Sequence, residues 1–151
     1  MRKTTPILLL LSLLLLYSCP PFLGVISSDI QTDNVEVSSK EIVGKWKMDI
    51  HSYKDLTGMK GDSIWILFKP DSTFEMNNSE HLFDYTIDYK PSIGVWRIKN
   101  NFSYPEEKQL RLDFEGSKAS VNLDIYKKGD NYLLWYFLTD PDAGKRIAFI
   151  K

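Results

Sequence analysis

The residues that most often carry chemistry are scarce in this chain of 151 residues. One cysteine and two histidines exclude an internal disulfide. They also leave little for a zinc site, which takes three protein ligands when catalytic and four when structural. The nearest set is His51 and His81 with Asp49 or Glu80, and no His-Glu-x-x-His spacing occurs. These therefore read as solvated turn histidines, and no metal is expected. A Gly-x-Ser-x-Gly elbow is missing, since Glu115-Gly116-Ser117 sits in a hairpin pattern. So is a glycine loop that could cradle phosphate. Glu106 and Glu107 are adjacent, so their carboxylates point apart rather than flanking one bond. No catalytic residue, cofactor or enzymatic activity is expected. A charge excess is absent as well: 19 basic against 20 acidic side chains give no reason to expect nucleic acid. Nor does any apolar run reach the about 20 residues that cross a bilayer as a helix.

What is present begins with an address. Arg2 and Lys3 precede the apolar run Ile7 to Leu16, broken only by Ser12, the order of a secretory signal. The run ends in Leu16-Tyr17-Ser18-Cys19, which resembles a bacterial lipobox. That resemblance implies a signal peptide over residues 1–18 and a mature protein whose first residue, Cys19, carries palmitate-type acyl chains. Two or more such chains anchor stably, at about 0.8 kcal/mol per buried methylene. The membrane, reached through this anchor, is the first expected partner. Loss of Arg2 and Lys3 leaves 17 basic against 20 acidic side chains, a formal net charge of −3. Pro20 and Pro21 do not resemble the aspartate-type signal for inner-membrane retention, which favours the outer membrane of a diderm envelope.

Residues 19–37 read as the lipidated N-terminus and a tether, because Pro20 to Val37 sustains no period of two or of 3.6. Phe22, Leu23, Val25 and Ile26 are apolar for a linker, and either lie near the lipid interface or dock on the domain. Ser38-Ser39-Lys40-Glu41 fits a capping box that opens a one-turn helix. A single domain over residues 38–151 follows. Its first strand is predicted over Ile42 to Ile50, with Trp46, Met48 and Ile50 on one face. Further strands are predicted over Ser63–Lys69, Thr73–Asn77, Leu82–Tyr89, Ile93–Lys99, Gln109–Glu115, Ala119–Lys127, Tyr132–Thr139 and Lys145–Ile150. Short alternating strands joined by hairpins predict an all-β fold: an antiparallel up-and-down barrel of about eight strands, closed so that no long edge is exposed.

The order of three motifs carries a family resemblance. Gly44-Lys45-Trp46 opens the first strand, Phe68-Lys69-Pro70-Asp71 makes a turn, and Gly94-Val95-Trp96 repeats the glycine–tryptophan spacing. Over about residues 40–151 this pattern resembles the small bacterial lipocalin-like domains of the calycin superfamily. The resemblance implies that Gly44 and Trp46 close one end of the barrel under a basic side chain from the last strand. Arg146 is the candidate, in a cation–π contact worth about 1 kcal/mol.

Two readings of function stay open. An eight-stranded barrel has room for its own side chains or for one small ligand. The first reading is a cup for a small apolar or amphipathic molecule, lined by Trp65, Trp96 and Trp135. The second is a filled barrel acting as an inhibitor, immunity or assembly protein. Strand Tyr132 to Leu138 is apolar on both faces, so its face of Tyr132, Leu134, Tyr136 and Leu138 is a candidate surface for an envelope protein partner. Asp62-Ser63-Ile64 and Asp71-Ser72-Thr73 resemble an O-glycosylation signal of some envelope proteins, and Asn77-Asn78-Ser79 and Asn101-Phe102-Ser103 are formal N-glycosylation sequons.

Overall fold

The computed structural model describes residues 28–55, 64–77, 93–116, 118, 120–138 and 145–151. The signal peptide, Cys19, His81 and the strand predicted over Leu82–Tyr89 lie outside the described residues.

The described residues form nine strands and two short helical pieces. They are β1 (Ile30–Gln31), the helix α1 (Ser39–Ile42), β2 (Gly44–Met48), a 3-10 helix (Ile50–Asp55), β3 (Trp65–Phe68), β4 (Thr73–Met76), β5 (Ile93–Asn100), β6 (Lys108–Phe114), β7 (Ser120–Lys128), β8 (Asn131–Phe137) and β9 (Arg146–Ile150). Strands β2 to β9 pair in chain order, each antiparallel to the next. The ring shuts where Lys47 and Met48 of β2 meet Ile150 and Phe149 of β9. This is a closed antiparallel barrel of eight strands, the architecture that the alternating pattern predicts. Closure leaves no long sheet edge among these strands to recruit another chain.

Alternation decides which side chains fill the barrel. On β6, Leu110, Leu112 and Phe114 are buried and Arg111 and Asp113 are not; on β7, Val121, Leu123 and Ile125 are buried and Asn122 is exposed. The first strand is shorter than predicted. The Ser38–Glu41 capping box forms in full, and that helical turn takes Ile42 into the core instead of the strand. After Met48 the chain turns into the 3-10 helix, where the Ser52 amide donates to the Asp49 carbonyl at 2.9 Å. Ile50, predicted to face inward, starts that helix and is 76% exposed.

The later part of the expected tether is a strap packed on the barrel. Ile30 and Gln31 pair with Lys128 and Lys127 of β7. The Asn34 amide donates to the Glu106 carbonyl at 3.1 Å, and the Tyr132 hydroxyl donates to the Glu36 carbonyl at 2.8 Å. Val35 is 1% exposed and belongs to the core, with Val37 packed against it. A strand of two residues shows no periodicity, which is why this segment reads as a linker in sequence. Strap and α1 together plug the end of the barrel at which β2 begins.

Candidate functional site

The barrel interior is occupied by its own side chains. Ile64, Ile66, Leu110, Leu112, Leu123, Ile125, Leu134 and Ile147 have 0% exposure. An aromatic cluster packs inside the barrel along β3 to β6. Phe68 lies edge-on to Trp96 with centroids 5.7 Å apart, and Phe74 meets Phe114 at 5.3 Å. The Trp96 indole donates to the Lys69 carbonyl at 3.2 Å, so its polar atom is satisfied. Gly94 is required by this packing. A Cβ there would sit 2.3 Å from the Asp113 carbonyl oxygen and 2.7 Å from Cε1 of Phe74.

Of the three tryptophans expected to line a cup, only Trp96 faces inward, and it is locked in this cluster. Trp65 faces outward: it pairs with Lys47 and carries the Lys45 ammonium 4.3 Å above its ring. Trp135 also faces outward. The expected partner face is reversed with it, because Leu134 sits opposite both Ile125 and Phe149 in the core. Tyr132, Tyr136 and Leu138 pack against that core too. A strand apolar on both faces has no polarity of its own to set its register. Its neighbours, with clear alternation, set it instead.

The closed end corrects a further expectation. The cation over Trp46 is Lys151, whose Nζ lies 5.7 Å from the ring centroid and donates to the carbonyls of Glu41 at 2.9 Å and Val43 at 2.6 Å. Gly44, at φ +128°, leaves room for the stem of Lys151, since a Cβ there would lie 2.8 Å from Cε. The Trp46 indole donates to the Ile42 carbonyl at 2.7 Å. Arg146 is elsewhere: its guanidinium stacks 3.9 Å from the centroid of Trp135.

That stack forms the floor of a cleft on the outer wall. The cleft has a volume of about 310 Å³ and is bounded by Leu133 and Trp135 of β8, Arg146, Ala148 and Ile150 of β9, Asp49, His51 and Ser52 at the 3-10 helix, and Ile30 and Lys128 at the strap. The 3-10 helix is held against β9 by the Ala148 amide, which donates to the Ser52 hydroxyl at 2.9 Å. Tyr126 stands edge-on to Trp135, centroids 4.6 Å apart at 74°. Burial, then the nearby carboxylates of Asp124 and Glu107, pushes its phenol far above the usual tyrosine range. Burial likewise raises the Asp124 carboxyl, against a hydrogen bond from Gln109 Nε2 at 2.7 Å.

Trp135 is 2% exposed, and its indole N–H is the single buried side-chain polar atom among the described residues that has no hydrogen-bond partner. Arg146 meets no carboxylate among the described residues. A larger groove of about 860 Å³ lies at the closed end, between Glu41, Tyr132 and Lys151. Its cations are already engaged: Lys151 on backbone carbonyls and Lys128 on Asp29 at 2.9 Å. The outer cleft instead presents a guanidinium that pairs with no carboxylate among the described residues, stacked on a ring whose N–H has no acceptor. It can accept an oxygen at Trp135 and Arg146 and bury apolar surface beside Leu133. Among the described residues, no three His, Cys, Asp or Glu side chains converge as metal ligands.

Ser52 and Tyr126 are not distinguished by sequence reasoning, and Asp49 appears there only as a weak metal-ligand candidate. The one available signal is Tyr126 itself, an aromatic side chain on the outer face of β7, which otherwise carries Asn122 and Asp124. No protein family, curated protein or solved structure matches this chain.

Proposed function

We propose that the chain is a lipid-anchored envelope protein in which a filled, lipocalin-like barrel is a scaffold and the outer cleft at Trp135 binds a protein partner. The lipobox-like Leu16-Tyr17-Ser18-Cys19 supports the anchor. The Gly44–Trp46 corner under a lysine supports the lipocalin-like relationship. The packed interior weighs against a small molecule held within the barrel.

One observation carries the reading: a cleft lined by Arg146 and by the Trp135 ring on which it stacks, whose indole N–H is buried without an acceptor. An unsatisfied buried donor costs about 1–3 kcal/mol, which a partner recovers by inserting a backbone carbonyl or carboxylate oxygen. Tryptophan, tyrosine and arginine are also the residues that dominate binding energy at protein interfaces. Leu133 and Phe137 supply an apolar border to such a contact.

The test is a photo-crosslinking amino acid placed at Leu133 in living cells, with Val95, exposed on β5, as the control position. A discrete heavier species is expected from position 133, absent from position 95 and lost when Arg146→Glu is added to a normally folded chain. No adduct, or the same adducts from both positions, contradicts the proposal.

A further inference from the structure

Two large aromatic side chains stand out from a built loop at the closed end. Phe102 is 96% exposed and Tyr104 is 57% exposed, both in the turn between β5 and β6. The turn is not slack. The Asn101 amide donates to the Glu107 carbonyl and the Glu107 amide to the Tyr104 carbonyl, both at 2.9 Å. The Asn101 side chain donates to the Glu107 carboxylate at 2.9 Å, and the Ser103 amide donates to Asn101 Oδ1 at 3.0 Å. Holding an aromatic ring in water on a preformed loop exposes apolar surface that a simple polar turn would avoid.

The position of the loop relative to the strap gives it an occupant. The strap binds this turn directly, Asn34 to Glu106, and begins beside it where Ile30 pairs with Lys128. Cys19 lies eleven positions before Ile30. Fully extended, that length of chain spans about 40 Å. An acyl anchor on Cys19 therefore holds this end of the barrel within reach of the bilayer surface. Tyrosine settles at the membrane interface, where its apolar body and polar edge are both accommodated, and phenylalanine gains there by burying its ring at the acyl boundary.

We infer that the turn between β5 and β6 is a second membrane contact, placing Phe102 and Tyr104 in the headgroup region of the bilayer that carries the anchor. The inference rests on the lipid anchor proposed above. The charges around the turn, Asp33, Glu106 and Glu107 against Lys99 and Lys108, give no excess of positive sign. The contact is therefore apolar, takes zwitterionic lipid, and depends little on salt. Its consequence is orientation: the closed end faces the lipid and the opposite rim faces away.

Ser103→Cys places a unique thiol between the two aromatic rings, since the sulfur of Cys19 is acylated in the mature protein. The mature lipidated chain is labelled there with a fluorophore and reconstituted in phosphatidylcholine vesicles containing brominated lipid. The same label at Ser120, at the opposite end of β7 from the strap, serves as reference. Quenching at position 103 should exceed that at position 120 several-fold, and Phe102→Ser with Tyr104→Ser should remove the difference at both low and high salt. Equal quenching at the two positions, in protein that floats with the vesicles, overturns the inference alone. Protein that fails to float with the vesicles overturns the anchor and the inference together.

Discussion

Lys151 lies over Trp46 and ties the end of β9 to the start of β2. Its Nζ is 5.7 Å from the indole centroid and donates to the carbonyls of Glu41 and Val43. These two carbonyls flank the end of α1, where the helix leaves acceptors unpaired. One cation thus covers the ring, satisfies the helix end, and shuts the barrel where the β2–β9 pairing ends. Gly44 is the residue that lets it approach.

Lys151→Met keeps the apolar stem and removes the charge and three donors. A loss of about 1–2 kcal/mol is expected, from a cation–π contact at a partly exposed site and hydrogen bonds of modest net worth. Urea denaturation followed by tryptophan fluorescence measures it. Arg146→Met should leave the Trp46 environment unchanged; a comparable change at Trp46 from both variants would contradict the assignment of Lys151.

Gly94→Ala forces a methyl group against the Asp113 carbonyl oxygen and the ring of Phe74. Overpacking of this kind costs about 1–3 kcal/mol. Because the nearest atom is backbone, Phe74→Leu should not restore the lost stability. Full rescue by that second change would show that only the ring contact matters.

The strap is part of the folded unit. A chain beginning at Ser38 loses the burial of Val35 and the acceptor for the Tyr132 hydroxyl. It should be about 2–4 kcal/mol less stable than one beginning at Ser28. Equal urea midpoints for the two chains would return residues 28–37 to the status of a linker.

Much of this architecture is legible in the residues. Leu110-Arg111-Leu112-Asp113-Phe114 can satisfy only one face of a strand, and Ser38 with Glu41 can hardly be other than a helix start. What is not legible has two physical causes. Tyr132 to Leu138 offers an apolar side chain at every position, so either face could be the core, and β7 and β9 choose. That single ambiguity moves Trp135 from the interior to the outer wall and carries Leu134 the other way. Arg146 follows from the same register, since it pairs with Phe137 and shares the outer face with Trp135. The strap was hidden for a different reason: two paired residues and one buried valine make no period.

Asp124 gives the fold a pH dependence of known sign. Burial raises its carboxyl above the usual range. Between the unfolded value of about 3.9 and that raised value, the native chain binds more protons than the unfolded one, so stability falls as pH rises through this interval. Glu107, raised chiefly by burial, adds to the same trend. Glu41 and Asp71, lowered by hydrogen bonds from Ser38 and Thr73, act in the opposite direction and lose their contribution as pH falls. Asp124→Asn keeps an acceptor for Gln109 and removes the buried charge. Its melting temperature should exceed that of the parent near neutral pH, with the gain vanishing below about pH 3.9. A variant less stable than the parent at neutral pH would show that the charge itself is stabilising.

Whether the barrel is filled decides between a carrier and a scaffold. The most direct measurement is the native mass of a chain of residues 28–151 after incubation with envelope extract. The bare polypeptide mass is expected, because inward-facing side chains such as Leu110, Leu123 and Ile147 are fully buried by the barrel's own residues. A discrete added mass that survives Arg146→Ala and disappears on denaturation would place a ligand inside the barrel and contradict the account.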